Sequence, residues 1–156
     1  MSNIALQIER LASGVIAVGA PVVFDSIVYT TGNISYNAAT GVITFNESGR
    51  YIVDWWVSPH VAATPAQHGV IFTLATSLGN DIEGGTHERN DQLGATGIID
   101  VVNAPVTMSL INTSLGSVGL STSLPVKAAL RVVEDDTVTN ITGPTGATGA
   151  TGANGA

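Results

Sequence analysis

The chain has 156 residues and a net charge of −7, with five Lys and Arg against twelve Asp and Glu and no Cys. So few cations exclude the basic patch that nucleic acid needs and disfavour an anionic membrane. The lack of cysteine excludes disulfides and thiolate metal sites.

Hydrophobic residues make up 44% and charged residues 11%, against roughly 25% charged in an average soluble domain. Mean hydropathy is +0.34, high for a well-solvated monomer, yet no run approaches the roughly 18 apolar residues of a membrane span. Membrane insertion is not expected. A large subunit interface that hides apolar surface is. The first residues, Met1 to Arg10, lack a basic region followed by an apolar stretch and a cleavage site, so they do not read as a secretory leader. Surface display by another route, or a removed leader, is expected.

Short β-type runs recur along residues 1–134, divided by turn residues and rich in Val, Ile and Thr. Ile4–Leu11 alternates Ile4, Leu6 and Ile8 with Gln7 and Glu9. Val22–Tyr29 carries Val23, Phe24, Ile27 and Val28. Residues 30–41 are turn-rich, around Gly32-Asn33 and Ala39-Thr40-Gly41, and Val42–Phe45 reads as a short strand. Arg50–Ser58 sets Tyr51, Val53, Trp55 and Val57 on one face and Ile52, Asp54 and Trp56 on the other, until Pro59 breaks the ladder. Gly69–Thr76 follows, and then a polar loop over residues 77–92. Ile98–Val102, Val106–Asn112, Val118–Leu124 and Val126–Glu134 complete about nine strands, a count that suits an all-β, two-sheet jelly roll. In such a fold the first and last strands can pair antiparallel. Residues 135–142 read as a neck.

From Gly143 the sequence changes character. Gly143, Gly146, Gly149, Gly152 and Gly155 recur at every third position, the period of a collagen triple helix, whose crowded axis admits only glycine. A collagen-like segment over 143–156 implies three chains; a flexible linker is the alternative. The run holds one proline, Pro144, and stops in mid-triplet, so the natural chain is expected to continue or to have been shortened. Thr145, Thr148 and Thr151 could accept O-glycans or be solvated filler.

Val22-Val23-Phe24-Asp25, Gly32 to Asn37, Thr40 to Phe45 and Gly49 to Val53 together resemble the complement C1q-like family. That family shows a Phe, an Asn-x-x-Tyr segment, a Thr-Gly before an aromatic-ended strand, and a Gly-x-Tyr opening a long core strand. The resemblance covers about residues 20–134 and looks most like the bacterial collagen-like exosporium proteins of the Bacillus type. It implies a homotrimer of C1q/tumour-necrosis-factor-like jelly rolls joined to collagen-like filaments on a spore or cell surface, with other collagen-like or spore-coat proteins as possible partners. Here the head precedes the repeat, whereas in most relatives it follows.

Candidate sites are few. Asp81, Glu83 and Asp91 could form a weak Ca²⁺ site, without EF-hand spacing, or belong to a solvated acidic loop. No metal or cofactor is otherwise expected. His60, His68 and His87 could be ligands, one per subunit near a threefold axis, or ordinary loop histidines. No nucleophile elbow or phosphate loop is present, so an enzyme is not expected. Of Trp55 and Trp56 one ring should enter the core and the other an interface or ligand surface. Tyr51, Val53, Trp55, Trp56 and Leu130 are the candidates for core or trimer interface. The expected role is a trimerising head that registers collagen-like filaments; the alternative is a receptor- or glycan-binding tip.

Overall fold

A computed structural model describes residues 3–60, 69–79, 81–86 and 91–135. Among them are thirteen strands and no helix. The strands are β1 (Ala5–Arg10), β2 (Val15–Ile16), β3 (Ser26–Thr31), β4 (Ile34–Asn37), β5 (Val42–Phe45), β6 (Gly49–Val57), β7 (Pro59–His60), β8 (Val70–Thr76), β9 (Ile82–Thr86), β10 (Leu93–Val101), β11 (Val106–Asn112), β12 (Val118–Leu120) and β13 (Ala128–Glu134).

They form two five-stranded sheets, β10-β6-β13-β1-β3 and β4-β5-β11-β8-β9, with a small third sheet, β2-β12-β7, at one end. Every pairing is antiparallel. Leu6, Ile8, Val53, Trp55, Leu130 and Val132 from the first sheet and Ile43, Phe45, Phe72, Met108 and Leu110 from the second lie buried in one cluster. Tyr51 packs on Phe45 with ring centroids 4.6 Å apart and donates its hydroxyl to the Glu47 carbonyl at 2.7 Å. Burial pushes the Tyr51 phenol up to about 12, with Glu134 and Glu47 adding to the shift.

The expected pairing of first and last strands is present: β1 runs against β13 from Ala5↔Val133 to Arg10↔Ala128. Both ends of the described chain therefore lie at one pole, where Glu134 N–H donates to the Ile4 carbonyl at 3.0 Å.

Several expected boundaries are corrected. The turns expected at Gly32-Asn33 and Ala39-Thr40-Gly41 are present, but a strand not foreseen, β4, lies between them and pairs with β5 around Gly41, whose φ of +77° favours glycine. Val22–Tyr29 is not one strand. Val22 and Phe24 are buried in an irregular segment, and pairing begins at Ser26. That segment is held by Val22 N–H on the Leu110 carbonyl and by Tyr36, whose hydroxyl accepts from Phe24 N–H at 2.6 Å and donates to its carbonyl at 2.8 Å. The loop expected over 77–92 contains β9, which glycine-rich Ile82–Thr86 did not signal. The strand expected at Ile98–Val102 begins at Leu93 instead. Val118–Leu124 pairs only to Leu120, and Val126–Glu134 only from Ala128. Pro59 does end the β6 ladder, but the chain continues into β7 of the third sheet.

Candidate assembly face

Among the described residues, the five-stranded sheet that contains β6 is packed on one face only. Its other face shows the register of five strands as parallel rows of side chains. One row reads Ile98, Ile52, Val133, Ala5, Thr31 from β10 to β3. Ile98 is 59% exposed, Ile52 39% and Val133 42%. Three large aliphatic side chains thus stand side by side in solvent across adjacent strands. The row reaches the edge strand β3, where Ile27, Val28 and Tyr29 are each about half exposed.

The next row is polar: Thr96, Asp54, Arg131, Gln7, Tyr29. Arg131 Nη2 meets Asp54 Oδ2 at 2.7 Å, a surface pair of the kind that contributes about 0–1 kcal/mol. The third row is Gly94, Trp56, Ala129, Glu9. Small neighbours on both sides leave the half-buried Trp56 indole standing clear. It lines a shallow cleft of 220 Å³ with Gln7, Asp54, Ala129, Leu130 and Arg131.

The candidate residues therefore divide. Tyr51, Val53, Trp55 and Leu130 face the core of their own chain, which leaves Trp56 as the one of the five on the outer face. The Trp55 indole Nε1 is buried with no hydrogen-bond partner among the described residues. Ile52, Ile98, Val133 and Arg131 were not singled out from sequence. The alternation of β6 exposed Ile52, but only the cross-strand register shows that Ile98 and Val133 join it.

Asp81, Glu83 and Asp91 are not gathered into a metal-binding group, nor are any three His, Asp or Glu among the described residues. His60 is exposed in β7. His68, His87, Gly143, Gly146, Gly149, Gly152, Gly155, Thr145, Thr148 and Thr151 lie outside the described residues.

No protein-family model matches the chain, and no curated protein matches it. Solved structures do. The globular domain of zebrafish complement 1qA is similar with a TM-score of 0.59 at 10% identity, over 85% of this chain and 95% of that one. Murine APRIL at pH 5.0 gives 0.59 at 11% identity, over 85% and 99%. The PRD1 vertex protein gives 0.53 at 15% identity, over 85% and 96%. The fold is a C1q/tumour-necrosis-factor-like jelly roll.

Proposed function

We propose that the chain is a structural, non-catalytic head that assembles as a homotrimer and brings three C-terminal collagen-like tails into register, on a bacterial spore or cell surface of the exosporium type. The observation that carries this reading is the exposed apolar row Ile98–Ile52–Val133 on a sheet face against which none of the described residues packs. A solvated β-sheet face ordinarily alternates to polar residues, so an aliphatic row there marks a surface meant to be covered. Three further features support it: the Gly-x-x period from Gly143, the low charge content, and the likeness of fold to a complement 1qA globular domain. Trp56 and Arg131, beside the row, are the residue types that concentrate binding energy at interfaces.

Mechanistically, burial of the row against neighbouring heads holds three tails at high effective concentration. That offsets the entropy of aligning a weak triple helix. Light scattering on the full chain should give three times 15.9 kDa, and Ile52→Asp with Ile98→Asp should give the single-chain mass with the fold intact. A monomeric parent chain, or a double variant that stays trimeric, overturns the reading.

A second reading, a glycan-binding tip, is favoured by the Trp56 cleft. An open indole beside a carboxylate, a guanidinium and a carboxamide suits stacking and hydroxyl recognition. Both readings claim the same face, so binding on a glycan array that Trp56→Ala abolishes in a monomeric chain would select this one.

A further inference from the structure

The outer face of the β6 sheet changes character along its strands. Two rows from the aliphatic one, Gly94, Trp56, Ala129 and Glu9 lie side by side, and between the two runs the polar row that holds Asp54, Arg131 and Gln7. Neighbouring rows on one face are two residues apart, about 7 Å, a spacing that one six-membered ring with its hydroxyls can bridge.

The indole is framed by small residues. A Cβ at Gly94 would collide with the Trp55 carbonyl oxygen, so that flank stays bare, and on the other flank Ala129 offers only a methyl. Trp56 thus walls an open cleft of 220 Å³. Pockets that enclose a drug-sized ligand run to about 300–1,000 Å³, so this one has room for a single ring.

The polar groups stand along one side of the indole. Asp54 Oδ2 accepts from Arg131 Nη2 at 2.7 Å. Among the described residues the Asp54, Arg131 and Gln7 side chains make no other hydrogen bond. Asp54 Oδ1, the remaining guanidinium N–H groups and the Gln7 carboxamide are therefore available as acceptors and donors. The ligand that matches has an apolar face for the indole and hydroxyls on its rim for these groups, and a pyranose is built in that way. Charge narrows the choice. Arg131 stands against a cationic ligand, while Asp54 and Glu9, the latter beside Ala129, stand against an acidic one, as does the net charge of −7.

We infer that the Trp56 cleft takes one neutral pyranose residue of a glycan, stacked on the indole and held at its hydroxyls by Asp54, Arg131 and Gln7. The inference rests on the second reading above, the glycan-binding tip, and names its ligand class. It requires the cleft to stay open in the assembled head.

The test is saturation-transfer NMR on the full chain with methyl β-galactopyranoside, methyl β-glucopyranoside and methyl β-glucuronide, a method that does not use Trp56 as its reporter. The expected result is transfer to the C–H protons of a neutral glycoside, with weak affinity of millimolar order, as few contacts allow, and binding of the glucuronide at least tenfold weaker. Trp56→Ala should abolish the transfer and Trp56→Phe should keep part of it, with circular dichroism unchanged in both. Asp54→Asn frees the Arg131 charge, so it should weaken the neutral glycoside and strengthen the glucuronide, a reversal that loss of a merely structural contact does not produce. Transfer to none of the three sugars, transfer that survives Trp56→Ala, or a parent chain that prefers the glucuronide overturns the inference. A glycan array separates this from failure of the reading beneath it. Trp56-dependent binding of acidic glycans alone removes the neutral ligand and keeps the tip, whereas no Trp56-dependent binding removes both.

Discussion

At the residue scale, polar groups inside the sandwich fix geometry that apolar packing leaves open. Asn112 satisfies two backbone carbonyls and one N–H across loops far apart in sequence. Removing its carboxamide strands those groups in the interior, at a cost of about 1–3 kcal/mol for each buried group left unpaired. Asn112→Ala is expected to lower stability by about 3 kcal/mol, read as an earlier midpoint in urea unfolding; a change within error would show that the loops find other partners. Tyr51 makes a pH-dependent contribution. Its phenol is held neutral, with its pKa raised from 10.0 to about 12, chiefly by burial. The folded state therefore keeps the proton more tightly than the unfolded chain. The contribution is fully present below about pH 10 and is lost as pH rises through about 12. Tyr51→Phe should cost about 1 kcal/mol at neutral pH, through the lost bond to Glu47, and should flatten the alkaline decline in melting temperature. Neither role could be foreseen from sequence. Asn112 looks there like the last residue of a strand, and the long-range partners of a carboxamide have no local signature.

At the element scale, the two sheets meet at a seam between β9 and β10 where glycine replaces side chains. A Cβ on Gly94 would collide with the Trp55 carbonyl oxygen, and one on Gly84 would sit 2.6 Å from the Gly94 carbonyl oxygen. One on Gly97 would meet Ile82 Cδ1 at 2.5 Å, the far end of a side chain that can turn aside. Gly94→Ala should therefore destabilise by about 2 kcal/mol, the range of overpacking that shifts backbone, and Gly97→Ala by clearly less. Thermal melts of the two variants decide it, and equal losses would contradict the seam geometry. The same glycines explain which strands were legible. Strands with alternating Val, Ile and Leu, such as β5, β11 and the long β6, could be read from their period. β9, with Gly84 and Gly85, could not, because its place in the sheet is set by close approach and not by propensity. Phe24 misled in the opposite sense: an apolar run that looked like strand is buried without a ladder and held by the Tyr36 hydroxyl.

At the scale of the whole molecule, the pattern that predicted a core also predicted its surplus. Low charge and high hydropathy led us to expect a hidden interface, but the exposed row we propose for it is visible only when β10, β6 and β13 are set side by side and Ile98, Ile52 and Val133 fall into line. Sequence order keeps those residues apart, and strand register is not written in any single strand. If the row drives assembly, a chain ending at Asp135 should keep the oligomeric mass of the full chain in light scattering. A shift to the single-chain mass would assign assembly to residues 136–156. The pairing of β1 with β13 has a practical consequence for display. Because Ile4 and Glu134 are hydrogen-bonded neighbours, the chain enters and leaves the described head on the same side. Such a head would sit as a knob hung beside a thread that passes it and turns back, with its far pole always presented outward.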